Sequence, residues 1–286
     1  MTRVVVTGGS GKLGRAVVRD LDAAGYEVVL LDRVPSPDKP DRVAFVRTDL
    51  TDYGQVLNCL LGVDDRYDAV DAVVHLAAVP APGQVPDVAL ITNNVTASIN
   101  VFHAARAAGI TNVVWASSET LLGIPMGDFH PPYLPVDEEF AVRPKSSYSL
   151  GKAVEEEMAR HLTQWNPALK MIGLRFSNVM DETDYATFPW DAHPEAKIFN
   201  LWSYIDARDG AQAVRKALES ELTGFEAFII ASADTVMDTP TIELADRFLP
   251  DVPRNAEIDG VSSLLSWQKA RELLGYVPEH SWRDGR

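Results

Sequence analysis

The chain has 286 residues, of which 46% are hydrophobic and 23% are charged, and its formal net charge is −15 at pH 7. These values are typical of a globular protein with one large domain, or one domain and an added lobe. The acidic balance argues against nucleic acid or an anionic membrane surface as the main partner, because both select clustered Lys and Arg. No apolar run reaches the roughly 20 residues of a membrane helix, and residues 1–7 are too short for a signal peptide, so we expect a cytoplasmic protein.

Strand-like apolar runs alternate with helical patterns along most of the chain. The strand-like runs cover residues 4–7, 28–31, 43–46, 72–76, 113–116, 171–175 and 227–231. Helical patterns cover residues 13–24, 88–108 and about 147–165. The strand-like runs are almost continuously Val, Ile and Leu, which predicts a parallel sheet covered by helices on both faces. The sequence therefore predicts an α/β fold, a Rossmann-type doubly wound parallel sheet.

Two stretches rich in proline, aromatic or acidic residues interrupt this alternation, at 123–144 and 178–204. Loops of this length in a compact domain are functional or disordered, and their aromatic residues argue against disorder, so we expect them to surround a substrate pocket. Two further helices are predicted at 240–248 and 264–274. We assign a dinucleotide-binding domain and a small substrate-binding lobe, with residues 1–175 and about 201–232 in the domain, and 176–200 and 233–286 in the lobe.

A glycine-rich turn lies between the first strand-like run and the first helical pattern. Its sequence, TGGSGKLG, spaces Gly8, Gly11 and Gly14 three residues apart. The first glycine allows a sharp turn, the second lets the backbone approach a pyrophosphate, and the third lets the helix pack closely on the strand. The same motif also fits a strand–helix turn without a ligand. The predicted phosphate cradle contains the three glycines together with Ser10, Lys12 and Leu13.

Two acidic residues that follow later strands favour the ligand-binding interpretation. Asp32 ends the second strand, roughly 20 residues beyond the glycines, where a carboxylate can accept hydrogen bonds from a ribose. Asp49, in the dipeptide Asp49-Leu50, is placed to meet the adenine edge. Asp32 repels a 2′-phosphate and favours NAD, whereas Arg33 and Lys12 could attract one. We predict NAD as the cofactor, with NADP as the alternative.

Tyr148 and Lys152 lie four residues apart, on one face of the third helical pattern. A phenol with a pKa of about 10 is a poor base at neutral pH, but a nearby ammonium favours its ionised form. An isolated Y-x-x-x-K is more often a surface tyrosine with a solvated lysine. Ser117 and Ser118 favour the catalytic interpretation here, because they follow the fifth strand at the edge where ligands bind such sheets.

Cysteine and histidine usage argues against a metal site. The six histidines are scattered singly, without ligand spacing. The single Cys59 lies among Val and Leu and is predicted to be a small buried hydrophobe. His75 falls within a strand-like run and is predicted to be structural.

Together these motifs resemble the extended short-chain dehydrogenase/reductase superfamily, in its NAD-dependent sugar epimerase/dehydratase group. The resemblance runs in order from residue 2 to about residue 215. It rests on T-G-x-x-G-x-x-G, the acid ending the second strand, D-L after the third, V-V-H-L-A-A, Asn94-Val95, the serine pair, Y-x-x-x-K and L-R-F-S-N-V.

The resemblance implies a role for each motif residue. Tyr148 would act as base or acid, Lys152 would lower the pKa of Tyr148 and hold the nicotinamide ribose, and Ser118 would hydrogen-bond the reacting oxygen. Four further residues would line the cofactor cleft or support the active site: Leu76, Ala77, Ala78 and Asn94. Tyr148 would take a proton from a substrate hydroxyl while the adjoining carbon gives hydride to the nicotinamide.

Three reactions share this first step: dehydrogenation, epimerisation and dehydration. Family dehydratases commonly carry an acid pair directly after the catalytic hydroxyl residue, whereas here Thr120 follows Glu119, which weakens the dehydratase interpretation. Nucleotide-sugar epimerases of the family usually have a longer segment between positions 178 and 204 of this chain. A non-catalytic NAD-binding regulator would typically lack Tyr or Lys of the triad. We therefore predict an NAD(P)-dependent oxidoreductase, with an epimerase as the alternative.

Segment 197–209 resembles the corresponding part of uronate dehydrogenases, in which an arginine at the position of Lys197 holds the substrate carboxylate. A lysine could do so as a point charge. Uronate dehydrogenases typically have asparagine at the position of Glu119, whose carboxylate would repel a uronate and favour a neutral sugar. The predicted substrate is thus a small sugar or sugar acid, held by Pro80, Ser118, Glu119, Asn178 and Lys197. Family members often dimerise through the two long helices, so we expect a homodimer.

Overall fold

The computed structural model describes residues 2–62, 67, 69–124 and 130–284. These residues form nine strands: β1 Arg3–Thr7, β2 Glu27–Asp32, β3 Ala44–Arg47, β4 Ala72–His75, β5 Asn112–Ser118, β6 Lys170–Phe176, β7 Val179–Met180, β8 Ile205–Asp206 and β9 Gly224–Ile230. They also form seven α-helices: α1 Lys12–Ala23, α2 Tyr53–Leu61, α3 Asp87–Ala107, α4 Ser147–Trp165, α5 Ala207–Glu219, α6 Thr241–Phe248 and α7 Gln268–Leu274. Short 3-10 turns cover Glu119–Leu122, Tyr185–Thr187, Pro194–Ala196 and Ile198–Asn200.

Seven of the strands form one parallel sheet, in the order β3-β2-β1-β4-β5-β6-β9. Val5 of β1 pairs with Val29 of β2 on one side and with Val73 of β4 on the other. The chain winds outward in both directions from β1 and β4, which confirms the predicted doubly wound parallel sheet. In such sheets, ligands bind outside the carboxyl ends of the strands, where the strand order reverses.

The apolar runs cover both faces of the sheet, because successive side chains of a strand point to opposite faces. Val4 and Val6 pack in one core with α1, α5 and α7, whereas Val5 packs in a second core with α2, α3 and α4. A sheet buried on both faces needs apolar residues at almost every strand position. The near-continuous Val, Ile and Leu runs of the sequence follow from this requirement.

Cys59 and His75 are buried, as predicted. Cys59 packs in the second core. The two ring nitrogens of His75 lie 2.7 Å from the Thr7 hydroxyl and 3.0 Å from the Ser98 hydroxyl. Burial, assisted by the positive charge of Lys152, lowers the pKa of His75 to about 3, so the ring is neutral and joins β1, β4 and α3.

A third apolar cluster joins segments that are distant in sequence. It contains Leu134 and Val136 of the proline-rich stretch, together with Trp202 and Leu264. The backbone N–H of Leu134 donates to the carbonyl of Pro253, and that of Val136 donates to the carbonyl of Leu264, both at 2.8 Å. Residues 125–129 of the proline-rich stretch lie outside the described residues.

The predicted helix over 264–274 is wrong in its first turn, because α7 begins only at Gln268. Leu264 and Leu265 are fully buried outside any helix, and Leu265 forms a parallel bridge with Val136. Two adjacent apolar residues ahead of a helical pattern fit a helix equally well, and only the partner segment distinguishes the two conformations. No helix among the described residues is long and apolar enough to cross a membrane.

Candidate active site

A cavity of about 1010 Å³ lies where β1, β2, β4, β5 and β6 end. Most predicted site residues line it: Gly8, Ser10, Gly11, Lys12, Leu13, Gly14, Asp32, Arg33, Leu50, Leu76, Ala77, Ala78, Pro80, Ser118, Glu119, Tyr148, Lys152 and Asn178. Three predicted site residues do not line it: Asp49, Asn94 and Lys197. The sheet edge thus brings the glycine turn and the tyrosine–lysine pair into one space.

The glycines of the turn serve two different purposes. Gly8 has φ +70°, and an added Cβ there would lie 2.5 Å from the backbone nitrogen of Ala77. A Cβ on Gly14 would lie 2.2 Å from the carbonyl oxygen of Gly8, so these two positions need glycine for backbone packing. A Cβ on Gly11 would meet nothing closer than 3.4 Å. Gly11 therefore needs no glycine for packing, and its open side faces the cavity.

The N-terminus of α1 fits the pyrophosphate of a dinucleotide. Gly11 is its N-cap, and no side chain caps the N–H groups of the first turn. Uncapped N–H groups and the helix dipole favour an anion at this position. The ammonium of Lys12 forms an ion pair with Asp184 and lies 4.0 Å from Asp181. Lys12 therefore has carboxylate partners within the chain itself.

The Asp32 carboxylate is fixed at the other end of the turn. It accepts hydrogen bonds from the backbone N–H of Ser10 at 3.1 Å and of Arg33 at 2.7 Å. A carboxylate has about four acceptor positions, so it can still accept ribose hydroxyls. The Arg33 guanidinium donates to Asn93 at 3.0 Å and lies 3.9 Å from Asp49. The adenosine half of a dinucleotide would meet both a carboxylate and a guanidinium here.

Asp49 and Asn94 have local partners instead of cavity positions. Asp49 accepts hydrogen bonds from the backbone and side chain of Thr51, which lower its pKa. The buried Asn94 side chain accepts from the Val79 N–H at 2.8 Å and donates to the Val79 carbonyl at 3.0 Å. Asn94 therefore holds the loop after β4 against α3, and its action on the cavity is indirect.

The first turn of α4 places the tyrosine and the lysine. The Ser146 hydroxyl caps this helix by accepting from the N–H of Ser149 at 3.1 Å. Tyr148 is 8% exposed and Lys152 is 3% exposed, one helical turn apart. The Lys152 ammonium donates to the carbonyl of Ala116 at 2.7 Å. The capped helix end thus carries both side chains into the cavity wall.

Ser118 completes this group from the end of β5. Its hydroxyl oxygen accepts hydrogen bonds from the N–H of Thr120 at 3.2 Å and from the Thr120 hydroxyl at 3.0 Å. Two accepted bonds leave the Ser118 proton free to be donated, and the Tyr148 phenol lies within its reach. Ser118 is thereby oriented as a donor toward the phenol or toward a substrate oxygen.

The pKa of Tyr148 is raised above its ordinary value, contrary to the expectation that Lys152 would lower it overall. Burial is the largest cause, and the positive charge of Lys152 and the Ser118 hydrogen bond oppose it. The nearby Glu155 and Glu119 raise the pKa further. Lys152 lowers the pKa of Tyr148, as predicted, but burial outweighs this effect. The sequence pattern could not show this, because it contains no information on burial.

Glu119 is a buried acid in the cavity wall. Burial raises its pKa to about 8, while the Ser177 hydroxyl and the Asn200 amide oppose the shift. The Asn200 amide lies 3.3 Å from one Glu119 carboxyl oxygen. Glu119 is therefore largely protonated at pH 7. A largely protonated Glu119 does not repel a uronate at this pH, contrary to the expectation from the sequence.

The raised pKa of Glu119 predicts a stability change with pH. The folded state keeps a proton between pH 4.5 and about 8 that the unfolded state has released, so the stability of the protein falls as pH rises through this range. Glu119→Gln removes this term. We expect the variant to gain on the order of 3 kcal/mol relative to wild type between pH 5 and pH 8.

Urea unfolding at both pH values measures this change. Glu257→Gln is the control, because Glu257 is exposed. Equal pH dependence in wild type and Glu119→Gln would show that Glu119 is ionised at neutral pH.

Lys197 lies beside the cavity rather than in its lining. Its ammonium is 3.1 Å from the centroid of the Trp190 ring and 5.6 Å from that of Phe199, which does line the cavity. Burial lowers the pKa of Lys197 to about 8. Lys197 therefore reaches the described cavity only indirectly, through Phe199.

With this geometry in place, comparison with known proteins assigns the family. Residues 4–231 match the family model of the NAD-dependent epimerase/dehydratase family. The chain belongs to this family. The predicted resemblance is thereby confirmed, and the Rossmann-type fold is that of the short-chain dehydrogenase/reductase proteins it resembles.

Curated relatives in the epimerase/dehydratase family include several UDP-glucose 4-epimerases. A putative UDP-glucose 4-epimerase of Methanocaldococcus jannaschii is 31% identical and aligns over 99% of this chain and 95% of its own length. UDP-glucose 4-epimerase 2 of Oryza sativa is 30% identical over 67% of this chain and 45% of its own length. The enzyme of Bacillus subtilis is 29% identical over 68% and 55%. The chain thus spans about half the length of the latter two relatives.

Solved structures of the same fold include dehydrogenases. A short-chain dehydrogenase/reductase superfamily protein from Agrobacterium tumefaciens, with bound NAD, is 25% identical, with a TM-score of 0.73 and coverage of 98% of this chain and 93% of that chain. A mutated uronate dehydrogenase is 24% identical, with a TM-score of 0.70 and coverage of 99% and 85%. The second likeness concerns the fold alone.

The structure brings residues to the cavity and its surroundings that the sequence patterns did not predict. Ser177 and Phe199 line the cavity, and Asn200 contacts Glu119. Arg175, within the L-R-F-S-N-V segment, donates to Glu156 at 3.0 and 2.8 Å and ties β6 to α4. Glu155 was detectable, since its spacing of three from Lys152 places the two side chains on one helix face.

Proposed function

We propose that this family member is an NAD-dependent dehydrogenase that oxidises a hydroxyl of a small sugar or sugar acid. The observation that carries the proposal is the placement of Ser118, Tyr148 and Lys152 in one cavity with the uncapped N-terminus of α1. A phosphate site and a proton acceptor in one space are what hydride transfer to a dinucleotide requires. An NAD-bound solved relative with 25% identity supports the choice of cofactor.

The cofactor would be held by the backbone of residues 11–14 at its pyrophosphate and by Asp32 at its adenosine ribose. When bound, a nicotinamide dinucleotide supplies the hydride acceptor that no side chain can provide. The third N–H of Lys152, beyond those bound to Ala116 and Glu155, is available to a ribose hydroxyl.

Tyr148 is proposed to take the proton from the substrate hydroxyl as the phenolate. Ser118 donates its free proton to the same substrate oxygen and so holds the hydroxyl beside the phenol. The Lys152 ammonium stabilises the phenolate by its charge, against the cost of burial. The result is a carbonyl product and a protonated Tyr148.

The cavity admits either a neutral sugar or a sugar acid. Protonated Glu119 adds little negative charge to the cavity wall, and Asn178 adds a polar group to it. A carboxylate substrate is compatible with this wall, because Glu119 carries little charge at neutral pH. The Lys197 ammonium lies beside the cavity, over the Trp190 ring, and is the cation that such a substrate would draw on.

An epimerase is the second candidate, and the identity to UDP-glucose 4-epimerases favours it. The two functions differ in whether reduced cofactor leaves the enzyme. We expect a screen of free sugars, uronates and nucleotide sugars with NAD to yield accumulating NADH with a free sugar or uronate. Conversion of a nucleotide sugar to its stereoisomer without NADH accumulation would establish the epimerase instead.

If Asp32 selects NAD over NADP, removal of its charge should change the affinity for both cofactors. Asp32→Asn should bind NAD about tenfold more weakly and NADP more tightly than wild type, because the repulsion of a 2′-phosphate is lost while Arg33 remains. Calorimetric titration with both cofactors measures this. The double variant with Arg33→Ala should lose the gain in NADP affinity. Unchanged NADP binding in Asp32→Asn would contradict the placement of Asp32 at the ribose.

We also propose a homodimer formed through α3 and α4. The two helices pack against each other and expose apolar side chains, Ile99 on α3 at 38% and Leu150 on α4 at 47%. Burial of these side chains against a second copy would stabilise the pair.

A further inference from the structure

A second acid lies directly behind the tyrosine–lysine pair. One oxygen of the Glu155 carboxylate is 2.9 Å from the Lys152 ammonium, and the two side chains are 0% and 4% exposed. Glu155 follows Lys152 by three residues on α4, so the pair is formed within one helix. A buried carboxylate persists only with a partner, and here that partner is the proposed catalytic lysine.

Glu155 and Ala116 together fix the Lys152 ammonium. One N–H of the ammonium donates to the Ala116 carbonyl at 2.7 Å and another donates to Glu155, which leaves one of three donors. A flexible four-carbon side chain is thereby held from two directions, by β5 and by its own helix. The remaining donor has little freedom in direction.

The charges around this pair are few. Glu156 on α4 forms an ion pair with Arg175 of β6 at 2.8 Å. His75 of β4 is neutral, Glu119 after β5 has a raised pKa, and α3 presents the Ser98 hydroxyl to Glu155. Glu155 is therefore the carboxylate that directly balances the Lys152 charge.

Balancing that charge has two effects. Burial lowers the pKa of Lys152, but Glu155, together with Tyr148 and Glu156, outweighs this effect, so the pKa of Lys152 is raised and the side chain remains an ammonium. The same carboxylate raises the pKa of Tyr148, against the effect of Lys152. Removal of the Glu155 charge should therefore lower the pKa of Lys152, and it should lower the pKa of Tyr148 as long as Lys152 keeps its proton.

We propose that Glu155 is a positioning residue of the active site, which holds the Lys152 ammonium in place and balances its charge beside Tyr148. The positioning role rests on the proposed function, because it acts through Lys152 and Tyr148. The ionisation of Tyr148 can nevertheless be measured without any substrate or cofactor.

Three variants test the proposal. Glu155→Gln keeps the shape and removes the charge, Glu155→Asp keeps the charge and shortens the side chain, and Glu157→Gln is the control. Glu157 lies on the same helix with its side chain 60% exposed. Circular dichroism and thermal melts show which variants are folded. Ionisation of Tyr148 is followed by the ultraviolet absorbance of tyrosinate. Each variant is titrated with and without the additional change Tyr148→Phe, and the difference between the two absorbance curves reports Tyr148.

We expect Glu155→Gln to lower the ionisation midpoint of Tyr148 by about one pH unit. With substrate, the pH profile of kcat/KM should move to lower pH by a similar amount, and kcat should fall roughly tenfold. Glu155→Asp should keep the midpoint close to the wild-type value but lose kcat. Glu157→Gln should change neither quantity.

An unchanged midpoint in folded Glu155→Gln would overturn the electrostatic role. If that variant does not fold, wild-type kcat in Glu155→Asp would overturn the positioning role. A failure of the proposed function has a different result, since no sugar would then be oxidised by wild type while the tyrosine titration would still report on Glu155.

Discussion

Replacement of Tyr148 by phenylalanine should lower kcat/KM by about 10² to 10⁴, the contribution of a positioned proton acceptor. The variant loses the phenolic oxygen and little else, because the ring stays packed at the start of α4. Binding of NAD should be close to wild type, since the pyrophosphate and adenosine contacts are remote from the phenol. Steady-state NADH formation and calorimetric titration with NAD measure the two quantities.

Tyr53→Phe is the matched control for this change. Tyr53 begins α2 and is 41% exposed, so loss of its hydroxyl should leave turnover unchanged. Turnover of Tyr148→Phe at the wild-type rate would refute the assignment of Tyr148 as the base.

Replacement of Gly14 by alanine should destabilise the protein by about 3 kcal/mol, with loss of NAD binding. The new Cβ would lie 2.2 Å from the Gly8 carbonyl oxygen and 2.5 Å from the Gly9 Cα, so backbone must move. Alanine is favoured over glycine within a helix by about 1 kcal/mol, which is too little to offset this clash. Urea unfolding measures the loss.

Gly11→Ala separates packing from ligand binding. Its Cβ would meet only the Gly8 carbonyl oxygen, at 3.4 Å, so stability should change by roughly 0.5 kcal/mol. Affinity for NAD should fall about tenfold or more, because the added methyl group stands where the pyrophosphate approaches the backbone. If Gly11→Ala bound NAD as well as wild type did, the phosphate cradle would have to lie elsewhere.

A fully stable Gly14→Ala variant would contradict the described packing of α1 on β1.

The core of the fold was predictable because it depends on local patterns. All seven predicted strands form the main sheet, and the three helices predicted before the lobe lie within one or two residues of α1, α3 and α4. The glycine turn and the spacing of four between Tyr148 and Lys152 are also local features. The carboxyl ends of parallel strands lie at the same edge of a sheet. The local motifs after β1, β2, β4 and β5 therefore lie close together there.

Other features depend on residues distant in sequence. The non-helical conformation of Leu264 and Leu265 depends on a bridge between Leu265 and Val136, which no helical periodicity shows. Asn94 matches a motif position, yet its side chain binds the backbone of Val79, 15 residues away. The contact between Glu119 and Asn200 joins positions 81 residues apart.

The sequence by itself determined the order of elements, the glycine turn and the chemical identity of the tyrosine, lysine and serine. Only the tertiary structure decided the ionisation of these groups. Burial raises the pKa of Tyr148 and leaves Glu119 largely protonated at pH 7, and the acidic groups around Lys152 raise its pKa. A pKa depends on how much water surrounds a group and which charges face it, and both are properties of packing between distant segments.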